Sequence, residues 1–128
     1  MNDGKIKSFT DLKAWEYGHK FAVSIYEATK KFPKDEIYSL TSQMRRAAIS
    51  ITSNIAEGFG RQGYKEKIHF YYLAQGSLIE LKNQILLAKD IGYLKDEDFK
   101  ILAEKANDAH KLLQGLITAS KKFLNHNS

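Results

Sequence analysis

Two pairs of glutamate and histidine have the spacing that a metal centre in a helical protein would use, because residues three apart in a helix share one face. The pairs are Glu16 with His19 and Glu66 with His69. Carboxylate-bridged di-metal bundles combine two such pairs with two further carboxylates. Glu57 falls at a similar height on another predicted helix, but the last predicted helix has no acid after Asp108. A di-metal enzyme therefore lacks one ligand, and we expect no catalytic residue, no metal and no cofactor.

A second set of polar side chains lies in the segment 43–61, QMRRAAISITSNIAEGFGR, which has the apolar spacing of a packed helix. The predicted buried seam holds Ile37, Leu40, Met44, Ala47, Ile51, Asn54 and Gly58. Beside it, at helical spacing, run Arg46, Ser50, Ser53 and Glu57. Buried polar groups are costly unless they are paired. These residues therefore either meet partners on a neighbouring helix or line a binding site.

Partners for this polar layer follow if the second and third helices form a hairpin. In that register the numbers of facing residues add to about 125. Arg45 or Arg46 then lies opposite Glu80, and a carboxylate paired with a guanidinium across two helices satisfies both charges. We therefore predict an ion pair between Glu80 and one of the two arginines, and a hydrogen bond from Asn54 within the bundle. The alternative is that these residues bind a ligand or RNA.

Nucleic-acid binding is the function that the charge permits, since the chain has a net charge of +5 and a pI near 9.3. The charge is spread evenly along the sequence, so any positive patch must be assembled by folding or oligomerisation. The candidate nucleic-acid-binding residues are Lys13, Lys20, Arg61, Tyr64, Lys65, Lys67, Lys121 and Lys122. The cluster at 61–67 is the strongest, because nearby glycines keep its backbone exposed and Tyr64 offers a ring on which a base can stack. The alternative for this cluster is an ordinary solvated turn.

Four helices must position these residues. Apolar periodicity and terminal signals predict helices at about 11–31, 36–59, 64–91 and 96–124. The connections are short, so neighbouring helices should be antiparallel. The sequence therefore predicts one domain over 1–128 of the all-α class, an up-down-up-down antiparallel four-helix bundle.

The third predicted helix has two apolar faces, whereas a bundle helix in a monomer needs only one. One face carries Ile68, Tyr71, Ala74, Leu78, Leu81, Ile85 and Ala88. A nearly opposite row carries Phe70, Leu73, Ser77, Leu87 and Ile91. The second row predicts a homo-oligomer in which another subunit covers it. The alternative is scattered surface apolar residues, which are common.

The composition excludes several other classes of protein. There is no cysteine, so disulfides and thiolate metal sites are excluded. The N-terminal segment is polar, and no apolar run approaches the ~18–20 residues of a membrane span. These features predict a soluble cytoplasmic protein with no membrane partner.

Several segments together resemble a known family, the four-helix-bundle proteins encoded within 23S rRNA intervening sequences. They are NIAEG at 54–58, QMRRAAISI at 43–51, GSLIEL at 76–81, FTDLKAWEYGHKFAVSIYEATKKFP at 9–33 and DIGYL at 90–94. The chain is similar, more distantly, to the accessory proteins of diversity-generating retroelements, which work with a reverse transcriptase and its RNA. The resemblance implies a four-helix bundle, a barrel-like homopentamer, a basic surface and no enzymatic activity.

The family motif maps onto named positions of this chain. They are Arg45, Arg46, Ser50, Asn54, Glu57, Gly58, Gly76, Ser77 and Glu80. The leading hypothesis is a non-enzymatic homo-oligomer that contacts structured RNA or other nucleic acid, with itself and an RNA, or a reverse transcriptase–RNA complex, as partners. The second hypothesis is a protein–protein scaffold with no nucleic-acid role.

Overall fold

A computed structural model describes residues 5–127, and within that range the chain is all-α, as predicted. The four helices are α1 (Lys13–Thr29), α2 (Leu40–Phe59), α3 (Tyr64–Asp90) and α4 (Asp96–Asn127). Two short 3-10 helices precede α1 and α2, at Phe9–Asp11 and Lys34–Glu36. In the described part of the chain, no helix combines the length and the apolar composition needed to cross a membrane.

The helices pack as an antiparallel square. Each helix packs against its neighbours in sequence, α1 closes the bundle against α4, and the diagonal pairs do not approach each other. Two contacts along each pair of helices fix the antiparallel direction. Between α2 and α3, Ser50 meets Ser77 and Gly58 lies against Tyr71. Between α3 and α4, Gln75 bonds to Gln114 and Lys82 lies beside His110. The predicted up-down-up-down four-helix bundle is therefore confirmed.

Local signals explain where α1 begins. The Ser8 hydroxyl accepts a hydrogen bond from the Thr10 amide at 3.3 Å, and the Asp11 carboxylate accepts from the Ser8 amide at 3.1 Å. This reciprocal capping box starts a single 3-10 turn, after which Leu12 is extended (ψ 128°). Because of that extended residue, α1 begins at Lys13, two residues later than predicted.

The start of α2 was also predicted too early. Pro33 introduces a 3-10 turn at Lys34–Glu36, and the regular helix begins only at Leu40. Ile37 therefore lies in the connection, where it is 44% exposed, and its predicted place on the buried seam is wrong. Asn54 is only half-buried, whereas Ile55, which the narrow seam omitted, is fully buried. The apolar face of α2 is wider than a coiled-coil seam, as is usual for a globular bundle.

The core face of α3 matches the prediction. All seven residues of its first apolar row are buried. All of them except Ile68 belong to one core cluster with fully buried side chains from the other three helices: Phe21, Ile25, Met44, Ile51, Leu113 and Ile117. Each such side chain contributes roughly 1.5–3 kcal/mol through removal of apolar surface from water.

Close packing between α2 and α3 depends on Gly58. A Cβ atom at this position would lie 2.7 Å from Cε1 of Tyr71 and 3.0 Å from Cβ of Phe70. The Tyr71 ring is 2% exposed, so it has little room to move. Gly58 therefore permits a close approach of the two helices where α2 ends.

Candidate functional site

Ser50, Asn54 and Ser77 form the polar layer between α2 and α3. The hydroxyls of Ser50 and Ser77 lie 2.8 Å apart and share a hydrogen bond. The Asn54 amide donates to the Ser50 carbonyl at 2.8 Å and to its hydroxyl at 3.0 Å. Asn54 thus bonds within the bundle, and this layer joins two helices with neutral groups.

The predicted ion pair between Glu80 and an arginine is wrong. Glu80 is exposed and forms no ion pair within residues 5–124, whose side chains the structure describes. Arg45 turns to α1 instead, where its Nε donates to the Thr29 hydroxyl at 2.9 Å and its guanidinium lies over the Tyr26 ring. Arg46 donates to the side chain of Gln43 one turn earlier. Consecutive residues of a helix point about 100° apart, so the two arginines cannot share the α3 side of α2.

The residues suggested as metal ligands are engaged elsewhere. Glu16 pairs with Lys13 at 3.3 Å, and the His19 ring stacks on Trp15. Glu66 lies 3.9 Å from Arg61. Among the described residues, no group of three or more histidine and carboxylate side chains could hold a metal ion.

The basic candidates gather at one end of the bundle, which we call the basic end. It comprises residues 5–16, 57–67 and 121–122, because α1 and α3 begin where α2 and α4 end. These residues include eight Lys and Arg against four Asp and Glu, a net charge of +4. The opposite end, residues 27–36 and 89–100, has six Lys against seven Asp and Glu, a net charge of −1. Folding thus assembles a positive patch from charges that are evenly spread along the sequence.

Some cations of the basic end are neutralised within the chain. Arg61 lies 3.3 Å from the Glu57 carboxylate and also over the ring of Phe70. Lys13 pairs with Glu16, as noted above. With its arginine paired in this way, the cluster at 61–67 resembles an ordinary solvated turn. Arg61 and Lys13 therefore offer less net charge to a ligand than the sequence suggests.

Other cations at this end have no carboxylate partner among the described residues. Lys65 and Lys122 are exposed, and Lys121 lies over the Tyr72 ring at 5.0 Å. The Lys67 ammonium donates to the Phe59 carbonyl at 2.7 Å, which caps the end of α2. Partial burial lowers the pKa of Lys67. Lys20, the remaining candidate, lies farther along α1 over the ring of Tyr17.

Tyr64 is not free to stack on a base from both sides. Its ring packs parallel to Phe123 of α4, with centroids 5.0 Å apart. Lys67 lies 5.9 Å from the same ring. The sequence could not reveal this contact, since it joins residues 59 positions apart in the chain.

The second apolar row of α3 is exposed to solvent in this chain. We call it the α3 outer face, defined by Leu73, Leu87 and Ile91, which are 44%, 49% and 48% exposed. Phe70 at its end is partly buried, and Ser77 is bonded to α2. Ile49 of α2 adds a further apolar side chain that is 49% exposed. The row is thus available to a second subunit, and the homo-oligomer that it suggests stays a prediction.

A polar contact between α3 and α4 was not predicted. The Lys82 ammonium lies 2.7 Å from Nδ1 of His110. Burial and the Lys82 charge together lower the pKa of His110 below its usual value of 6.5. The imidazole is therefore neutral at pH 7 and accepts the hydrogen bond from Lys82.

We expect this contact to make the stability of the protein depend on pH. Because the folded state lowers the pKa of His110, the unfolded chain binds the proton more readily near pH 6. The free energy of unfolding should be constant from pH 8 to about pH 7 and should fall as the pH drops through 6.5. Urea melts measure it, and His110→Gln, which cannot titrate, should flatten the curve. An NMR midpoint for His110 at or above 6.5 would contradict this prediction.

Comparisons with known proteins agree with the fold. A family model described as 23S rRNA-intervening sequence protein matches residues 10–115, which include α1, α2, α3 and most of α4. A solved structure from Bacteroides thetaiotaomicron, described as a protein with unknown function from the S23 ribosomal protein family, is 22% identical with a TM-score of 0.75. The match covers 81% of this chain and 97% of that chain, and at this identity it supports the fold alone. No curated protein matches the chain.

Proposed function

The chain belongs to the 23S rRNA-intervening sequence protein family, and from that premise we propose that it is a non-enzymatic homo-oligomeric bundle that binds structured RNA at its basic end. The observation that carries this proposal is the separation of charge between the two ends, +4 against −1. A phosphate backbone is attracted to clustered cations whatever its sequence. The basic end offers such a cluster, and the opposite end does not.

Lys65 and Lys122 are the residues best suited to contact phosphate. Both are exposed and neither has a carboxylate partner among residues 5–127, so no internal bond must be broken before RNA binds. Lys67 and Lys121 add positive charge beside them. Arg61 and Lys13 contribute less, because their charges are largely neutralised by glutamates.

Oligomerisation supports the same function. One subunit carries only a few accessible cations, so its affinity for RNA would be modest. A symmetric assembly repeats the basic end around an axis, so that one oligomer can contact several phosphates at the same time. The half-exposed leucines and isoleucine of the α3 outer face provide a surface that a second copy can cover.

We expect RNA affinity to depend steeply on salt and on the lysines of the basic end. Binding of the protein to a structured RNA is measured from about 50 to 300 mM salt, where phosphate contacts weaken as counterions compete. The double substitution Lys65→Met with Lys122→Met should weaken binding and reduce the slope of log affinity against log salt by about one for each lysine engaged. A matched control replaces Lys31 and Lys34 by methionine, since both are exposed and lie at the opposite end.

Two results would contradict the proposal. If no affinity is detected at low salt, or if affinity does not fall as salt rises, the electrostatic interaction is absent and the protein is better described as a protein–protein scaffold. If the control pair weakens binding as much as the basic-end pair, RNA is bound but not at the basic end.

A further inference from the structure

A cavity of about 300 Å³ opens at the basic end, between the end of α2, the start of α3 and the last turns of α4. We call it the end pocket. Its apolar walls include Leu12, Phe59, Tyr64, Leu116 and Phe123. A closed cavity of about 150 Å³ already admits benzene, so the end pocket is large enough for one planar aromatic ring system.

Two hydroxyl groups of this pocket have no partner in the described protein. Tyr71 and Ser120 both line the cavity and are 2% and 4% exposed, and neither hydroxyl forms a hydrogen bond within residues 5–124, whose side chains the structure describes. Neither oxygen is closed off from solvent, since among the described residues Gln84 Oε1 is the only buried side-chain polar atom without a partner. Both hydroxyls therefore face the open pocket, and a ligand that displaces water from it must supply their hydrogen bonds. Burial, followed by the charge of Tyr64, raises the pKa of Tyr71 to about 12. The Tyr71 hydroxyl therefore stays protonated at neutral pH and remains a donor.

A cation stands at the same pocket. Lys67 lines it, and its ammonium donates to the Phe59 carbonyl at 2.7 Å. An ammonium group has three N–H donors, so two remain available after this bond. Lys67 has no carboxylate partner among the described residues. The pocket thus combines aromatic walls, two unpaired hydroxyls and a positive charge.

We propose that the end pocket holds one unpaired nucleobase of the bound RNA, whose edge bonds to the Tyr71 and Ser120 hydroxyls and whose phosphate lies at Lys67. This inference rests on the proposed function and deepens it, since it names the part of the RNA that is recognised. Bases that are not stacked in a helix bind proteins by stacking on aromatic rings and by hydrogen bonds along their edges. A hydroxyl both donates and accepts, so it suits the mixed edge of a base. A purely apolar ligand would leave both hydroxyls unpaired.

The first test compares two RNA hairpins that differ only by a single unpaired adenine. The wild-type protein should bind the hairpin with the unpaired base more tightly than the fully paired one. Tyr71→Phe and Ser120→Ala each remove one hydroxyl without changing charge, and each should weaken binding of the first hairpin about threefold to tenfold. Neither should change binding of the paired hairpin. Tyr38→Phe is the matched control, because Tyr38 is 93% exposed and lies at the opposite end.

A second measurement does not depend on RNA affinity. Adenosine monophosphate at millimolar concentration should shift the NMR signals of Phe59 and Ala119, which line the pocket, but not in the Tyr71→Phe, Ser120→Ala double variant. Tyr71→Phe should also melt at the same urea concentration as the wild type, since its hydroxyl forms no bond within the protein.

The outcomes separate the two proposals. If the nucleotide shifts the NMR signals of the end pocket but neither hairpin binds, the pocket binds a nucleobase and the proposed RNA function is wrong. If both hairpins bind equally and the hydroxyl variants do not change their affinities, the protein binds RNA, but the proposal that the end pocket holds a base is wrong. If neither hairpin nor nucleotide binds, both are overturned.

Discussion

Replacing Leu87 with aspartate is expected to convert the proposed homo-oligomer into free chains. Leu87 is 49% exposed and lies on the α3 outer face between two other half-exposed apolar residues. If a second copy covers this face, the substitution buries a carboxylate without a partner, and an unpaired buried charge is strongly destabilising. Static light scattering at micromolar concentration should give about five chains of 14.6 kDa for the wild type, the number implied by the family resemblance, and one for the variant.

The neighbouring residue provides a matched control. Leu86 is also a leucine, is 50% exposed and lies on the α4 side of α3 beside Phe99 and Ala103. Leu86→Asp should leave the mass unchanged. If the wild-type protein is monomeric, the proposed homo-oligomer is wrong. Dissociation by Leu86→Asp and not by Leu87→Asp would move the interface to the α4 side.

Replacing Gly58 with alanine should lower the free energy of unfolding by about 1–3 kcal/mol, the usual cost of overpacking a core. The added methyl group would lie 2.7 Å from Cε1 of Tyr71, a residue that is 2% exposed. Either the ring or the backbone of α2 must move. Urea denaturation at one protein concentration measures the change.

Gly76 is the control for this substitution. It lies within α3, and a Cβ there would meet no atom within 4 Å. Gly76→Ala should therefore stabilise the helix by up to about 1 kcal/mol through the loss of glycine's backbone freedom. Equal effects at the two glycines would show that helix propensity, and not the contact with Tyr71, decides the result at position 58.

The parts of this fold that could be predicted best are those that depend on helical period. The core face of α3 was predicted without error, because seven apolar residues repeat there from Ile68 to Ala88. The starts of α1 and α2 were placed too early, since a capping signal does not distinguish a 3-10 turn from the first turn of an α-helix. Period and capping therefore gave the architecture but not the exact ends.

The candidate site was less predictable, because its geometry depends on which neighbouring helix each side chain contacts. Arg45 and Arg46 are adjacent in sequence, yet one faces α1 and the other turns to Gln43. The Tyr64–Phe123 stack and the unpaired hydroxyls of Tyr71 and Ser120 arise only when three helices meet. Composition could show that a positive patch had to be assembled, but not at which end.

The separation of charge along the bundle also affects how a charged molecule would approach it. A helix of 27 residues such as α3 is roughly 40 Å long, whereas electrostatic fields at physiological salt decay over about 8 Å. A polyanion near the basic end therefore does not sense the acidic connections at the far end. The sides of the bundle, residues 17–26, 37–56, 68–88 and 101–120, carry six Lys and Arg against three Asp and Glu, a net charge of +3 over a larger surface. The density of positive charge is therefore highest at the basic end, and the field there should orient an approaching polyanion before contact.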